Sequence, residues 1–187
     1  MDPSVCWKKY PKDHEEWIIT RDDGNVFLRP VKPSDGPLIE TLFSKLSPPS
    51  IYFRFLTNLD RLRPEILYHL VHLDYECEYA LAATVEEGNR EIIVGVCRYV
   101  CTFDPQRAEL AIVIRDDWQG KGIGRAMVER VFNVAKGNGI RKIELHIDPQ
   151  NESSINLFTS MGYDYRHIQT IMWEHYDIVE VDLETRV

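Results

Sequence analysis

The sequence lacks any apolar run close to the roughly 20 residues that a membrane-spanning helix requires. It is also short of basic residues, because 22 Lys and Arg stand against 30 Asp and Glu and give a net charge of −8. An acidic surface disfavours binding to a nucleic-acid backbone. The amino terminus has no apolar core of the kind that a secretion signal carries. We therefore predict a cytoplasmic protein that binds neither membranes nor nucleic acids.

Cysteines are few, and their spacing fits neither a CxxC redox pair nor a zinc-ligand pattern. The four cysteines are Cys6, Cys77, Cys97 and Cys101. Cys97 and Cys101 are predicted on one strand about 13 Å apart, which is too far for a disulfide. His69 and His72 share a predicted helix face, but no convincing third ligand accompanies them. We predict reduced cysteines and no metal site.

The length of 187 residues is typical of one domain, and 44% hydrophobic with 28% charged residues is typical of a globular protein. Residues 1–24 are mixed and polar, with Trp7, Tyr10 and Trp17 interspersed. We expect them to form an N-terminal extension that packs on the body. Residues 25–187 are predicted to form a single domain.

Hydrophobic periodicity predicts an α/β chain with a mixed sheet. A first strand is predicted at 26–31, followed by two helical regions before residue 74. The elements predicted after them are strands at 78–85, 92–100 and 108–114, a helix at about 122–138, a strand at 142–147, a helix from Asn151 or Ser153 to Gly162, and a strand at 178–183. The strand at 108–114 is almost entirely apolar, which predicts a central position in the sheet.

Three alternating glycines, Gly120, Gly122 and Gly124, lie between that strand and the long helix. Glycines let a backbone approach a ligand closely, and the free N–H groups at a helix start favour an anion. Lys121 and Arg125 add positive charge. A Walker A loop or an early GxGxxG fingerprint is not present. The segment therefore predicts a phosphate or pyrophosphate cradle of another kind.

Residues 119–124 match the Q/R-x-x-G-x-G/A motif of the GCN5-related N-acetyltransferases (GNAT). Residues 151–158, followed by Met161, Gly162 and Tyr163, resemble the second signature of that family. The resemblance covers about residues 25–183. It implies the GNAT fold, with a mixed, mostly antiparallel sheet of six to seven strands and about four flanking helices. It also implies acetyl-CoA as co-substrate.

The same resemblance implies which residues contact acetyl-CoA. The edge of the strand at Ile112, Val113 and Ile114 would offer backbone groups to the pantetheine amides. Asn151 would bind the pantetheine arm, cap the helix, or do both. The full set of cofactor-binding residues predicted here is Ile112, Val113, Ile114, Gln119, Gly120, Lys121, Gly122, Ile123, Gly124, Arg125, Asn151, Ser154 and Phe158.

Three upstream segments, at about 46–55, 73–80 and 108–118, resemble the acetyltransferase domain of the bacterial Pat-type protein lysine acetyltransferases. Members of that group acetylate a lysine of AMP-forming acyl-CoA synthetases. Many carry a synthetase-like or cyclic-nucleotide domain, and neither is found here. We expect such regulation to be absent or supplied by another protein.

Glu109 is the predicted general base, because it interrupts an apolar strand and shares a face with Ala111 and Val113. We expect a half-buried carboxylate whose pKa burial raises. The Pat-type resemblance implies a catalytic glutamate at the same position. An exposed glutamate, or one paired with Arg107, is the alternative.

Phe158 occupies the place where many family members have a tyrosine that acts as general acid. A phenyl ring cannot donate a proton, so water, Tyr163 or Tyr165 would serve, or no acid at all. Arg54 would order the helices on the substrate side, meet an acidic group, or form a structural salt bridge. The sequence leaves these alternatives open.

Three functions fit these residues. The first is transfer of acetyl to a protein lysine, and the second is transfer to a small amine such as a polyamine, an amino acid or an antibiotic. The third is an acyl-CoA-binding sensor without turnover. Late strands in this fold can pair across subunits, so an oligomer is also compatible with the sequence.

Overall fold

The computed structural model describes residues 9–172 and 174–186, so the predictions for Cys6 and Trp7 lie outside the described residues. The described strands are β1 (Glu16–Ile19), β2 (Asn25–Pro30), β3 (Glu78–Glu87), β4 (Arg90–Cys101), β5 (Arg107–Ile114), β6 (Lys142–Ile147), β7 (Tyr163–Ile171) and β8 (Tyr176–Arg186). The described α-helices are α1 (Gly36–Ser44), α2 (Pro48–Phe55), α3 (Pro64–Val71), α4 (Ile123–Gly137) and α5 (Glu152–Thr159).

All eight strands join one sheet in the order β1-β2-β3-β4-β5-β6-β8-β7. Neighbouring strands are antiparallel, except that β5 and β6 run parallel. The predicted α/β fold with a mixed, mostly antiparallel sheet is therefore confirmed. The central position predicted for residues 108–114 also agrees with the place of β5, which has four strands on one side and three on the other.

The predicted numbers of strands and helices were slightly too low. The polar segment 1–24 contributes β1, a four-residue edge strand that pairs with β2. The second predicted helical region is two helices, because Leu56 adopts a left-handed conformation (φ 51°) that ends α2 and Pro64 begins α3. Most residues of β7 are exposed, and buried and exposed side chains hardly alternate along it. The hydrophobic pattern of the sequence therefore did not predict this strand.

Two apolar clusters cover the two faces of the sheet. On one face, α4 buries Met127, Val131 and Phe132 against residues of β3 to β8. On the other face, α1 and α3 bury a second cluster that includes Leu42 and Val71. Among the described residues, no helix is both long and apolar enough to cross a membrane.

β5 and β6 separate before either strand ends. Their pairing runs from Arg107 opposite Lys142 to Leu110 opposite Leu145 and stops there. β5 nevertheless stays paired with β4 as far as Ile114. Gly95 of β4 permits this, because a Cβ there would lie 2.4 Å from the Ile114 side chain. The separation opens a gap at the centre of the sheet.

A buried ion pair links the start of α1 to β2. Both guanidinium NH groups of Arg29 donate to Asp35, at 2.7 and 2.9 Å, and Arg29 also pairs with Glu91 of β4 at 2.8 Å. Arg29 and Asp35 are each only 3% exposed. Burial alone would lower the pKa of Arg29, but the bonds that Arg29 donates to Asp35 and Glu91 outweigh burial and raise that pKa.

Replacing Asp35 by alanine should lower the free energy of unfolding by about 3–5 kcal/mol, because it leaves a buried arginine without its main counter-charge. Chemical denaturation measures the change. Asp164→Ala is the matched control, since Asp164 forms an exposed pair with Arg166, and it should cost less than about 1 kcal/mol. Equal losses in the two variants would contradict the assigned role of Arg29 and Asp35.

Candidate active site

The glycine-rich segment forms a tight loop between β5 and α4. Gly120 and Gly122 adopt positive φ angles of 74° and 87°, which only glycine accepts without strain. Gly122 is the last residue before α4, so the free N–H groups of the first helical turn follow it directly. Gly124 faces Leu157 and Ile112 at ordinary contact distance. The loop therefore has the geometry of an anion cradle at a helix N-terminus.

A groove of about 800 Å³ runs past this loop. It is bounded by the end of β5, the start of α4 and the start of α5. The predicted cofactor residues that line it are Ile112, Val113, Ile114, Gln119, Gly120, Gly122, Ile123, Gly124, Arg125, Asn151 and Ser154. Gln119 also braces the loop, because its side-chain amide donates to the Ile114 carbonyl at 3.0 Å.

Lys121 is the one predicted cofactor residue that lines neither this groove nor the cleft described next. Its ammonium group forms an ion pair with Asp22 at 2.5 Å and lies 5.0 Å from the centre of the Trp118 ring. The lysine therefore holds the β1–β2 turn against the loop.

A second cavity, the acceptor cleft, has a volume of about 760 Å³. It lies between the end of α2, the strands β5 and β6, and the β7–β8 turn. The residues that line both cavities are Phe53, Arg54, Ile112, Asn151 and Ser154. A ligand that follows the groove therefore reaches the acceptor cleft beside Ile112.

The backbone of β5 offers bonding groups to this junction. The Arg115 N–H donates to Val94 of β4 at 2.8 Å. Because N–H and C=O groups alternate in direction along a strand, those of Ile112 and Ile114 point away from β4 into the gap. The Ile114 carbonyl accepts from Gln119. Ile112 is thus positioned to pair with a ligand amide or to stabilise a developing oxyanion.

Helix α2 closes the gap from one side because hydrogen bonds hold it at its start and at its middle. At its start, Asp116 accepts from the Ser47 N–H and from the hydroxyls of Ser47 and Ser50, at 2.7 to 2.9 Å. Farther along, the Tyr52 hydroxyl donates to Asp148, just after β6, at 3.1 Å. The helix therefore spans the ends of the two separated strands.

Glu109 lines the acceptor cleft and is exposed. The prediction of a half-buried carboxylate is wrong, because Glu109 lies where the cleft opens this face of β5 to solvent. Arg107 is not its partner, since that arginine pairs with Asp104, Glu144 and Glu180. Within the described part of the chain, the Glu109 carboxylate has no hydrogen bond or ion pair.

Arg54 lies at the junction of the two cavities, and its guanidinium is 4.8 Å from the centre of the Phe55 ring. Burial, and after it the like charge of Arg98, lower the pKa of Arg54 to about 10, while Glu109 opposes the shift. No carboxylate of the described residues lies within ion-pair distance. The structural salt bridge that the sequence allowed is therefore not formed there.

Asn151 caps α5, because its side-chain oxygen accepts from the Ser154 N–H at 3.1 Å. Its position beside both cavities leaves a ligand contact open as a prediction. Phe158 is buried and lines the acceptor cleft. Tyr163 and Tyr165, the suggested proton donors, line neither cavity.

Several site residues were missed by the sequence analysis. The acceptor cleft also contains Tyr52, His146, Glu174, His175 and Tyr176, and the groove contains Arg21. They come from α2, β6, the β7–β8 turn and the β1–β2 turn, and no spacing in the sequence connects them. Only the narrower resemblance around residues 46–55 drew attention to one of these segments. Among the described residues, no group of three His, Cys, Asp or Glu is arranged to hold a metal ion.

Comparison with known proteins agrees with this geometry. Residues 44–163 match the Acetyltransferase (GNAT) family. An acetyltransferase of Pseudomonas aeruginosa is 29% identical over 150 residues, which are 80% of this chain and 81% of that protein. The GNAT domain of S. lividans PAT is 26% identical and covers 93% of this chain and 99% of its own, with a TM-score of 0.83.

A third similar structure is that of yncA from Salmonella typhimurium with its cofactor acetyl-CoA. It is 18% identical, covers 84% of this chain and 94% of its own, and has a TM-score of 0.61, which shows the same fold. The region matched by the family contains Glu109, the glycine loop and the start of α5. This chain therefore belongs to the GNAT acetyltransferase family and is an acetyl-CoA-dependent N-acetyltransferase.

Proposed function

We propose that this protein transfers the acetyl group of acetyl-CoA directly to a lysine side chain of another protein. The observation that carries the proposal is the exposed carboxylate of Glu109, which lies in the acceptor cleft close to the junction with the cofactor groove. The resemblance to the Pat-type protein lysine acetyltransferases supports a protein acceptor, and the likeness to the GNAT domain of S. lividans PAT over nearly the whole chain is consistent with it. An AMP-forming acyl-CoA synthetase is the acceptor class that we propose.

The groove suits acetyl-CoA in both charge and shape. The positive-φ glycines and the start of α4 would bind the pyrophosphate. The backbone groups of Ile112 would pair with the pantetheine arm, and Asn151 and Ser154 would border it. This arrangement directs the thioester towards the acceptor cleft.

Glu109 would act as general base. A lysine with the ordinary pKa of about 10.4 is almost fully protonated at neutral pH, so its ammonium group must first lose a proton to the carboxylate. The free amine then attacks the thioester carbon. The new C–N bond forms, and the Ile112 N–H would stabilise the oxyanion of the resulting intermediate. The C–S bond then breaks, and the nitrogen gives its second proton to solvent as the amide forms.

The sulfur leaves as a thiolate, and because a thiol is a fairly strong acid (pKa about 8.5 for cysteine), the thiolate is a fair leaving group without an acid. Phe158 cannot supply a proton. The Tyr52 hydroxyl already donates to Asp148, and burial, followed by this bond, raises the pKa of Tyr52. We therefore propose that neither Phe158 nor Tyr52 protonates the departing sulfur.

Glu109→Gln should lower kcat/KM by about 100- to 10,000-fold, the usual contribution of a general base. The affinity for acetyl-CoA should stay unchanged, because the substitution lies outside the groove. The residual activity should rise with pH towards about 10, as the acceptor amine loses its own proton. Release of CoA gives the rate, and titration calorimetry gives the affinity.

Glu86→Gln is the control, since Glu86 is exposed on the β3–β4 hairpin and lines neither cavity. Its kinetics should equal those of the unaltered enzyme. If Glu109→Gln turned over at the normal rate, the assignment of the base would be wrong. If the unaltered protein bound CoA tightly but released none with any acceptor, the sensor function would be favoured instead.

A small amino acid is the second candidate acceptor, and Arg54 is the observation that favours it. The guanidinium and the Glu109 carboxylate line the same cleft with opposite charges. A free amino acid presents an amine and a carboxylate, so Glu109 would receive its amine and Arg54 its carboxylate. A protein lysine has no carboxylate next to the reacting nitrogen.

Arg54→Gln separates these two acceptors. With an amino acid, kcat/KM should fall by about 10- to 100-fold, because a charge-assisted bond to the substrate is lost. With a purified AMP-forming acetyl-CoA synthetase, the rate should change by less than about threefold. We would offer the synthetase and a panel of amino acids and polyamines side by side. Fast turnover of one small amine, with no acetylation of the synthetase, would contradict the proposal of a protein acceptor.

A further inference from the structure

Lys121 and Arg125, the two cations within residues 119–125, are already paired with protein groups. Lys121 is paired with Asp22 and lies outside the groove. Arg125 lines the groove, but its guanidinium donates to the Ser160 carbonyl and pairs with Glu129 at 3.3 Å. Neither side chain is free to neutralise a bound pyrophosphate without giving up an existing partner.

Arg21 is the third cation, and it comes from the turn between β1 and β2. Its N–H donates to the Lys121 carbonyl at 3.0 Å. Its side chain lies against Gly122, because a Cβ placed there would be 3.5 Å from both the Cγ and the Nε atoms of Arg21. Arg21 lines the groove, and within residues 9–172 and 174–186 its guanidinium has no hydrogen bond or ion pair.

The turn that carries Arg21 is held in place by hydrogen bonds among its own residues. The Thr20 N–H donates to the Gly24 carbonyl at 2.8 Å, and the Gly24 N–H donates back to the Thr20 hydroxyl at 2.9 Å. That hydroxyl donates in turn to Asp22, whose charge is neutralised by Lys121. The backbone of Arg21 is therefore fixed beside the loop before any ligand arrives.

We propose that Arg21 binds the pyrophosphate of acetyl-CoA and thereby determines the affinity for the cofactor. The inference rests on acetyl-CoA as co-substrate, which the proposed function also requires, but it does not depend on the acceptor. The phosphate oxygens would accept from a guanidinium that pairs with no other described group, in addition to the N–H groups of the loop. The segment before β2, which the sequence identified as an extension, thus supplies part of the cofactor site.

Arg21→Gln tests the proposal through binding alone, with no acceptor present. Titration calorimetry would compare CoA with 3′-dephospho-CoA, which lacks only the 3′-phosphate, and with pantetheine, which lacks the pyrophosphate and the adenosine. The variant should bind CoA and 3′-dephospho-CoA about 10- to 100-fold more weakly, by the same factor, and pantetheine as well as before. Arg21→Lys should retain more of the affinity for CoA than Arg21→Gln, because lysine keeps the positive charge but lacks the planar set of N–H donors of a guanidinium.

Arg141→Gln is the matched control, since it removes the same charge from an exposed arginine. Arg141 lies just before the first residue of β6, whereas the acceptor cleft is lined by the last residues of that strand. Arg141→Gln should leave all three affinities unchanged. Thermal melts of each variant would verify that the fold is retained.

Three results would overturn the inference. Unchanged affinity for CoA in Arg21→Gln would exclude the contact. A loss confined to CoA would assign Arg21 to the 3′-phosphate instead. An equal loss for pantetheine would mean that Arg21 only shapes the loop. By contrast, an unaltered protein that bound CoA no better than pantetheine would count against acetyl-CoA as co-substrate, and so against the proposed function.

Discussion

The site depends on the separation of β5 from β6 beyond the pair Leu110–Leu145. Parallel strands that stayed paired would satisfy each other's backbone groups and leave no room for a ligand. Here β5 is held by β4 to its last residue, and Gly95 makes room for the Ile114 side chain. The backbone of Ile112 is therefore left free at the centre of the sheet, where both cavities meet.

The remaining parts of the site are arranged around this gap. Helix α2 is fastened to the end of β5 through Asp116 and to the residue after β6 through Tyr52. Its last turn brings Arg54 into the cleft opposite Glu109. On the far side of the gap, the loop before α4 presents N–H groups to a phosphate. Cationic side chains and backbone N–H groups thus border the cofactor groove, and Arg54 and Glu109 bring opposite charges into the acceptor cleft.

The elements that were predicted well are those whose pattern reflects burial. The helix expected at 122–138 is α4, from Ile123 to Gly137, and the strand expected at 142–147 is β6. The elements that were missed or merged have exposed surfaces. β1 has Trp17 and Ile19 facing solvent, and β7 is exposed along most of its length. Hydrophobic periodicity reflects which side chains face the core, so it is a weak predictor of strands at the edges of a sheet.

The fold class and the glycine loop could be predicted from the amino-acid sequence, and Glu109 could be singled out as a candidate base, because each depends on a local pattern or on a motif of a few adjacent residues. The exposure of Glu109, the pairing of Lys121 with Asp22 and the position of Arg21 beside Gly122 could be seen only once the chain was folded. Each of these depends on a contact between segments far apart in the chain. Arg21 and Gly122 are neighbours because β1 and β2 form a hairpin whose turn lies against the loop, and no periodicity within either segment encodes that contact.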